Sequence, residues 1–198
     1  SVFWPAWTWT WRPELRWLFA SYAQSLSVRD SVKCRRVIES PWYQALWGLQ
    51  LTDDQNTKLR YENDRTGYRL ATSVDGAATG EGGDVIVVDD PHNVREAHSK
   101  AIRESTVEWW RASMSTRLNN PRTGCRVIVM QRVHEADLSG HVLSEGGWEH
   151  LCLPARYEPQ RHCSTSIGWE DPRRNEGDLL WPEHFGEAEI AELERKLG

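Results

Sequence analysis

The stretch Gly82-Gly83-Asp84-Val85-Ile86-Val87-Val88-Asp89-Asp90-Pro91-His92 constrains the chain most. Four consecutive β-branched apolar residues predict a short strand buried on both faces, as in a parallel sheet. Two carboxylates follow at its carboxyl end, the rim where ligands sit in open α/β sheets. Hard cations take oxygen ligands, so an acid pair there can hold Mg2+ beside a nucleotide's phosphates. In that arrangement one aspartate holds the metal and its neighbour handles a water. A strand ending in a polar turn accounts for the same letters.

The rest of the chain sets the frame for that strand. With 198 residues, 39% hydrophobic and 27% charged, it has enough apolar sequence for one core or one domain with extensions. The net charge of −5 argues against a surface dominated by nucleic-acid binding but leaves room for a local basic patch. Cysteines at 34, 125, 152 and 163 include no Cys-x-x-Cys pair, which argues against zinc. Cys125 and Cys152 lie in apolar runs and are expected to be buried thiols, in keeping with a reducing cytoplasm. No run approaches the ~20 apolar residues of a membrane span, and no secretory signal opens the chain. Of twelve tryptophans, Trp4, Trp7, Trp9, Trp11 and Trp17 fall within the first seventeen residues. Basic residues that would accompany a membrane-interface belt are sparse, so core packing is the expected use. Ser1 begins in apolar sequence without an initiator methionine, which reads as a fragment whose upstream part is missing.

In chain order, residues 1–11 read as the end of a helix and Arg16–Tyr22 as a strand. Ala23–Ser40 reads as a helix, and Trp42–Leu49 as a short aromatic helix after Pro41. Asp53–Gln55 reads as a turn, and Lys58–Asn63 with Tyr68–Ser73 as an antiparallel pair. The glycine-rich segment Asp75–Gly83 feeds a strand and contains no lysine, so it lacks the pattern of a P-loop. It reads as a loop leading into the sheet. Asn93-Val94-Arg95-Glu96 has the spacing of a capping box, predicting a helix to about Leu118 with Val107, Trp110, Met114 and Leu118 on its core face. Asn119–Gly124 is a turn, and Cys125–Met130 a second apolar strand. Glu135–Ser144 reads as a helix and Trp148–Leu153 as a third strand. Strand, helix, strand, helix, strand over 85–153 is the pattern of a mostly parallel α/β sheet flanked by helices. Residues 154–182 read as irregular, with a closing helix over Gly186–Leu197. The domain expectation is therefore 1–153, followed by 154–198.

Two neighbouring strands then end in polar side chains on one rim: Asp89-Asp90 and Gln131-Arg132. Asp89 would hold Mg2+, Asp90 would orient or deprotonate a water, and Gln131 would hydrogen-bond that water or a phosphate. Arg132 joins them as a candidate, although pairing with a carboxylate is the commoner fate of a strand-end arginine. His134-Glu135-x-Asp137 does not match His-Glu-x-x-His, because position 138 is Leu, and reads as an acidic helix start. His92 reads as a loop hydrogen-bonding group.

The run Thr79–His92 resembles the large terminase subunit of tailed bacteriophages. So do Ser115-Thr116-Arg117-Leu118 and Val129–Gly140, with the earlier Ala20-Ser21-Tyr22, Ser40–Gln44 and Tyr61-Glu62-Asn63 in the expected order. Pro5-Ala6-Trp7 resembles the stretch shortly after that family's Walker A motif. The resemblance implies an ATPase domain of the additional-strand P-loop type, its Walker A end upstream of Ser1 and a nuclease domain beyond residue 198. It implies an ATP- and Mg2+-dependent motor that moves double-stranded viral DNA into a procapsid. Its partners would be the portal protein, the small terminase subunit and further copies in a ring, with no membrane involved. Its place would be the host cytoplasm, transiently docked on the portal. By the same resemblance Asp89 is the metal-linked Walker B aspartate, Asp90 the catalytic carboxylate and Gln131 the start of the coupling motif. The second Walker B residue is usually Glu, one methylene longer than Asp90, and the coupling motif usually carries small hydroxyl residues. No motif selects the trans-acting arginine, for which Arg65 and Arg69 are offered. Two other functions compete: a metal-dependent nuclease gathering Asp89, Asp90 and Asp137, and a non-catalytic interaction domain.

Overall fold

The computed structural model describes residues 1–76 and 80–197. Ala77, Ala78 and Thr79, in the glycine-rich segment and at the head of the resembling run, lie outside the described residues. The chain divides into two units, Ser1–Ser144 and Glu145–Gly198.

The first unit is built on a six-stranded, mostly parallel sheet. Its strands are β1 (Trp17–Ser21), β2 (Leu51–Asn56), β3 (Arg60–Asn63), β4 (Tyr68–Ser73), β5 (Val85–Asp89) and β6 (Cys125–Val129), in the spatial order β2-β3-β4-β1-β5-β6. β1 pairs in parallel with β4 and β5, β5 pairs in parallel with β6, and β2-β3-β4 form an antiparallel extension. Among the described residues this unit has the helices α1 (Phe3–Thr8), α2 (Gln24–Ile38), α3 (Pro41–Trp47), α4 (Lys100–Ala112) and α5 (Leu138–Glu145), the last running one residue past its boundary.

The unbroken apolar runs predict the centre of the sheet correctly. All five residues of β1 and the first four of β5 are buried, as strands covered on both faces must be. Burying each Val or Ile side chain contributes about 1.5–3 kcal/mol. The core around them holds Trp9, Trp17, Phe19, Cys34, Ile38, Tyr43, Tyr61 and Val87. The chain leaves β1 toward β4 on one side, and leaves β5 through α4 toward β6 on the other. β1 and β5 are neighbours whose connections depart in opposite directions, so the switch point of the sheet lies between their carboxyl ends.

Several expectations fail for identifiable reasons. Asp53–Gln55 lies inside β2, an edge strand whose polar residues face solvent rather than forming a turn. Asn93 does not cap a helix: its side chain accepts the amide of Arg95 at 3.1 Å and its carbonyl that of Glu96 at 3.0 Å, closing a local turn. The helix starts instead at Lys100, ends at Ala112 and gives way to a 3-10 turn over Met114–Thr116. Trp110 and Met114 of the expected stripe are buried, while Val107 and Leu118 are partly covered. Cys125 is exposed because β6 is an edge strand, and Cys152, in an irregular stretch of the second unit, is partly exposed; the buried thiols are Cys34 and Cys163. Trp9 and Trp17 serve the core, but Trp4, Trp7 and Trp11 stand in solvent.

The second unit contains no strand where Trp148–Leu153 was expected. The Glu149 carboxylate takes the amide and hydroxyl of Ser166, and the His150 carbonyl takes the Cys163 thiol, which ties the stretch as a loop. Arg173 is the hub of this unit. Its guanidinium pairs with buried Asp171 at 2.8 Å, donates to the Pro154 carbonyl at 2.8 Å and lies 5.5 Å over the Tyr157 ring. A closing helix, α6 (Glu187–Leu197), is tied to Arg156 through Glu187 and Glu194.

Candidate functional site at the carboxyl rim of the sheet

The carboxyl ends of β1, β4, β5 and β6 carry Ser21 and Tyr22, Ser73, Asp89 and Asp90, and Gln131. β5 delivers its acids at the switch point. The paired strands keep Asp89 level with Val129 on β6, two residues before Gln131. Asp90 is the pivot. Its amide donates to the Val129 carbonyl at 2.8 Å, and its own carbonyl accepts the Tyr22 amide at 3.0 Å. Both neighbouring strands thus hold it, and its backbone is left-handed, with φ +47°. A non-glycine residue in that region is strained and persists where its surroundings over-determine it, as at sites where a side chain must be aimed. The Asp90 carboxylate is exposed. The Asp89 carboxylate, partly exposed, accepts the Ser1 hydroxyl.

Asp90 lies between two cavities. The smaller, about 50 Å³, is lined by Ser1, Ser21, Ser27, Asp30, Arg69 and Asp89 among others. The larger, about 310 Å³, places Asp90, His92, Asn93 and Arg95 against Met130, Gln131 and Val133, with Tyr22 and Leu26 closing it. The structure therefore brings Asp90 to both Asp89 and Gln131: Asp89 lines the smaller cavity with it and Gln131 the larger. Gln131 is exposed at the cleft.

Arg132 has a different surrounding. Its guanidinium donates to the Asp137 carboxylate at 3.2 Å and to the carbonyls of His134 and Glu135 at 3.4 and 3.3 Å. Asp137 is completely buried. It accepts the amides of Val133 at 3.0 Å, His134 at 3.3 Å and Gly140 at 2.8 Å, the last being the side-chain cap of α5. Burial raises its pKa, but those amides and the Arg132 charge prevail and hold it below the usual carboxylate value of 3.8. The acidic helix start read from His134–Asp137 is thus a closed cap beginning at Leu138 rather than Glu135.

Arg69, offered from the sequence as a trans-acting group, has a different place. It is wholly buried, its guanidinium carbon 4.1 Å from the Phe19 ring centre, with Nε and Nη1 lacking partners. Alternation along β4 gives no sign that this arginine points inward. A buried guanidinium cannot reach into another subunit, so of the two arginines offered for a trans-acting role only Arg65 is accessible. Arg29, on α2 at the smaller cavity, is a further cation at the rim. A hydrogen bond to Asp30 and, more weakly, the charge of Asp89 raise its pKa. Of the glycine-rich segment, Gly76 lies just past the carboxyl end of β4, whereas Gly83 precedes β5 at the opposite rim.

The donors suit a hard cation. Asp89, Asp90 and Ser21 supply oxygens, and among the described residues no group of three or more His, Cys, Asp or Glu side chains is placed to cage an ion. A rim with two carboxylates fits Mg2+ that arrives with phosphates and keeps several waters. Among the described residues no helix is long and apolar enough to cross a membrane. Compared with protein-family models and with curated proteins, the chain matches none.

Proposed function

We propose that this chain is the ATPase part of a phage large terminase subunit, an ATP-hydrolysing motor that drives double-stranded DNA into a procapsid. The observation that carries the reading is Asp90: a strained, exposed carboxylate clamped between two parallel strands at the switch point, beside Asp89 and across a cleft from Gln131. Asp89 would hold the metal, Asp90 would orient and accept a proton from the attacking water, and Gln131 would hydrogen-bond that water or the terminal phosphate. When bound, Mg2+ neutralises charge on the transferring phosphoryl group. Arg132 keeps the β6–α5 loop in shape rather than touching nucleotide. Residues 1–198 contain no Gly-x-x-x-x-Gly-Lys-Ser/Thr pattern, and the portal, the small subunit and a ring of copies are its partners in the host cytoplasm.

Asp137 weighs against the nuclease alternative. A third metal-binding carboxylate must be free, and both Asp137 oxygens are engaged inside the β6–α5 loop. The test is ATP turnover with radiolabelled nucleotide. The complete reading frame should hydrolyse ATP only with Mg2+, and residues 1–198 alone should stay near background. Robust turnover by the 198-residue chain, or none by the complete frame, would refute the reading.

A further inference from the structure

We propose that His92 is a positioning residue that sets the distance between Asp90 and Gln131 across the larger cleft. The proposal rests on the reading of that cleft as the nucleotide site. His92 stands two residues beyond Asp90, on the loop leaving β5, and only 5% of it is exposed. Its Nε2 accepts the amide of Leu138, the first residue of α5, at 2.9 Å. Leu138 is itself fully buried.

The other wall of the cleft is one closed piece. Asp137 gathers the amides of Val133 and His134 from the loop and that of Gly140 from α5, and Arg132 folds onto the same carboxylate. Gly140 lets the pieces meet: a Cβ there would lie 1.9 Å from the Glu135 carbonyl oxygen. The loop that begins at Gln131 is thus fastened to the first turn of α5. Beyond the strand pairing that ends at Asp90, the His92–Leu138 hydrogen bond joins the acid-bearing loop to this piece. His92 is a strut between the two walls.

The ring has to be neutral to serve, because an imidazolium would present N–H to the Leu138 amide. Its proton therefore sits on Nδ1, and that atom is buried without a partner. Filling space would be done better by an apolar side chain, since an orphaned buried donor costs stability. Retention of an acceptor at Nε2 is what an imidazole adds here.

Two substitutions separate the parts of the ring. In His92→Gln the side-chain carbonyl reaches the Nε2 position and accepts the Leu138 amide. In His92→Asn the side chain mimics Nδ1 and stops short of Leu138. In ATP turnover by the complete reading frame, His92→Asn should lower kcat about tenfold with KM within about twofold, and His92→Gln should restore kcat to within about threefold. In NMR spectra of the 198-residue chain, His92→Asn should speed Leu138 amide exchange about tenfold and shift the Gln131 side-chain amide. His92→Gln should reverse both. A folded His92→Asn protein with unchanged kcat, or with Gln131 unmoved, overturns the proposal. Should the Asn variant fail to fold, the wild-type imidazole spectrum decides: Nδ1–H at neutral pH supports the strut, and Nε2–H or an imidazolium refutes it. A wild-type complete frame without ATPase activity refutes the nucleotide reading alone, and the Leu138 and Gln131 signals then decide for His92.

Discussion

The two ends of β5 carry the same side chain and put it to opposite uses. At the amino end, the Asp84 carboxylate accepts the Arg16 amide at 2.9 Å and the Asn119 side-chain amide at 3.1 Å, binding the start of β1 and the turn before β6 to the strand. At the carboxyl end, Asp89 accepts the Ser1 hydroxyl, while Asp90 holds an exposed carboxylate on a left-handed backbone. An acid whose oxygens are taken up by neighbouring amides stabilises the fold. An acid that neighbours aim outward can bind something else. The strand direction decides which is which, because parallel strands present their carboxyl ends together.

Asp89 separates the two uses of an acid most sharply. In the complete reading frame, Asp89→Ala should abolish Mg2+-dependent ATP turnover, a loss of at least about a hundredfold, while thermal unfolding stays close to wild type. A variant that unfolds instead would make Asp89 a structural acid like Asp84.

Asp137 provides the intermediate case, a structural acid near the site. Asp137→Ala leaves three amides and a guanidinium without their acceptor and should cost about 2–4 kcal/mol in urea unfolding. Asp84→Ala, which removes two partly exposed hydrogen bonds, should cost about 1–2 kcal/mol by the same measurement and leave turnover per folded molecule within about twofold. Equal costs for both would contradict the difference in burial.

pH provides the finest test. The folded pKa of His92 lies below 6.5, because burial disfavours the charged ring. The unfolded chain therefore binds the proton first, so stability should fall as pH drops from 6.5 toward the folded value. His92→Gln should remove that slope. Asp137 acts lower: its folded pKa lies below 3.8, so its stabilisation is present above 3.8 and is lost as pH falls through the folded value. Stability measured by urea unfolding from pH 7 to pH 3, with wild type and both variants, separates the two contributions.

The legible parts of the molecule are those written in local pattern. Val85–Val88 announces a strand buried on both sides, and the acids that follow must then lie at its rim. The βαβ order from β5 through α4 to β6 is legible for the same reason. What depends on distant neighbours is not. Cys125 sits in an apolar run, but nothing local says that β6 is an edge. Asn93–Glu96 has the letters of a capping box, yet Asn93 bonds its own turn. Tyr68–Ser73 predicts a strand without revealing that Arg69 lies inside over Phe19. His92 reads as a loop residue, as it is, but its bond to Leu138 spans 46 positions and depends on the packing of α5.

The most direct measurement pairs Asp90→Asn with Asp84→Asn in the complete reading frame, following single-turnover ATP hydrolysis and thermal unfolding together. Asparagine keeps the shape of both side chains and tolerates the left-handed backbone at position 90. Asp90→Asn should lose at least about a hundredfold in turnover with an unchanged unfolding midpoint, while Asp84→Asn should unfold earlier and turn over ATP normally. An Asp90→Asn protein that hydrolyses ATP at the wild-type rate would contradict it.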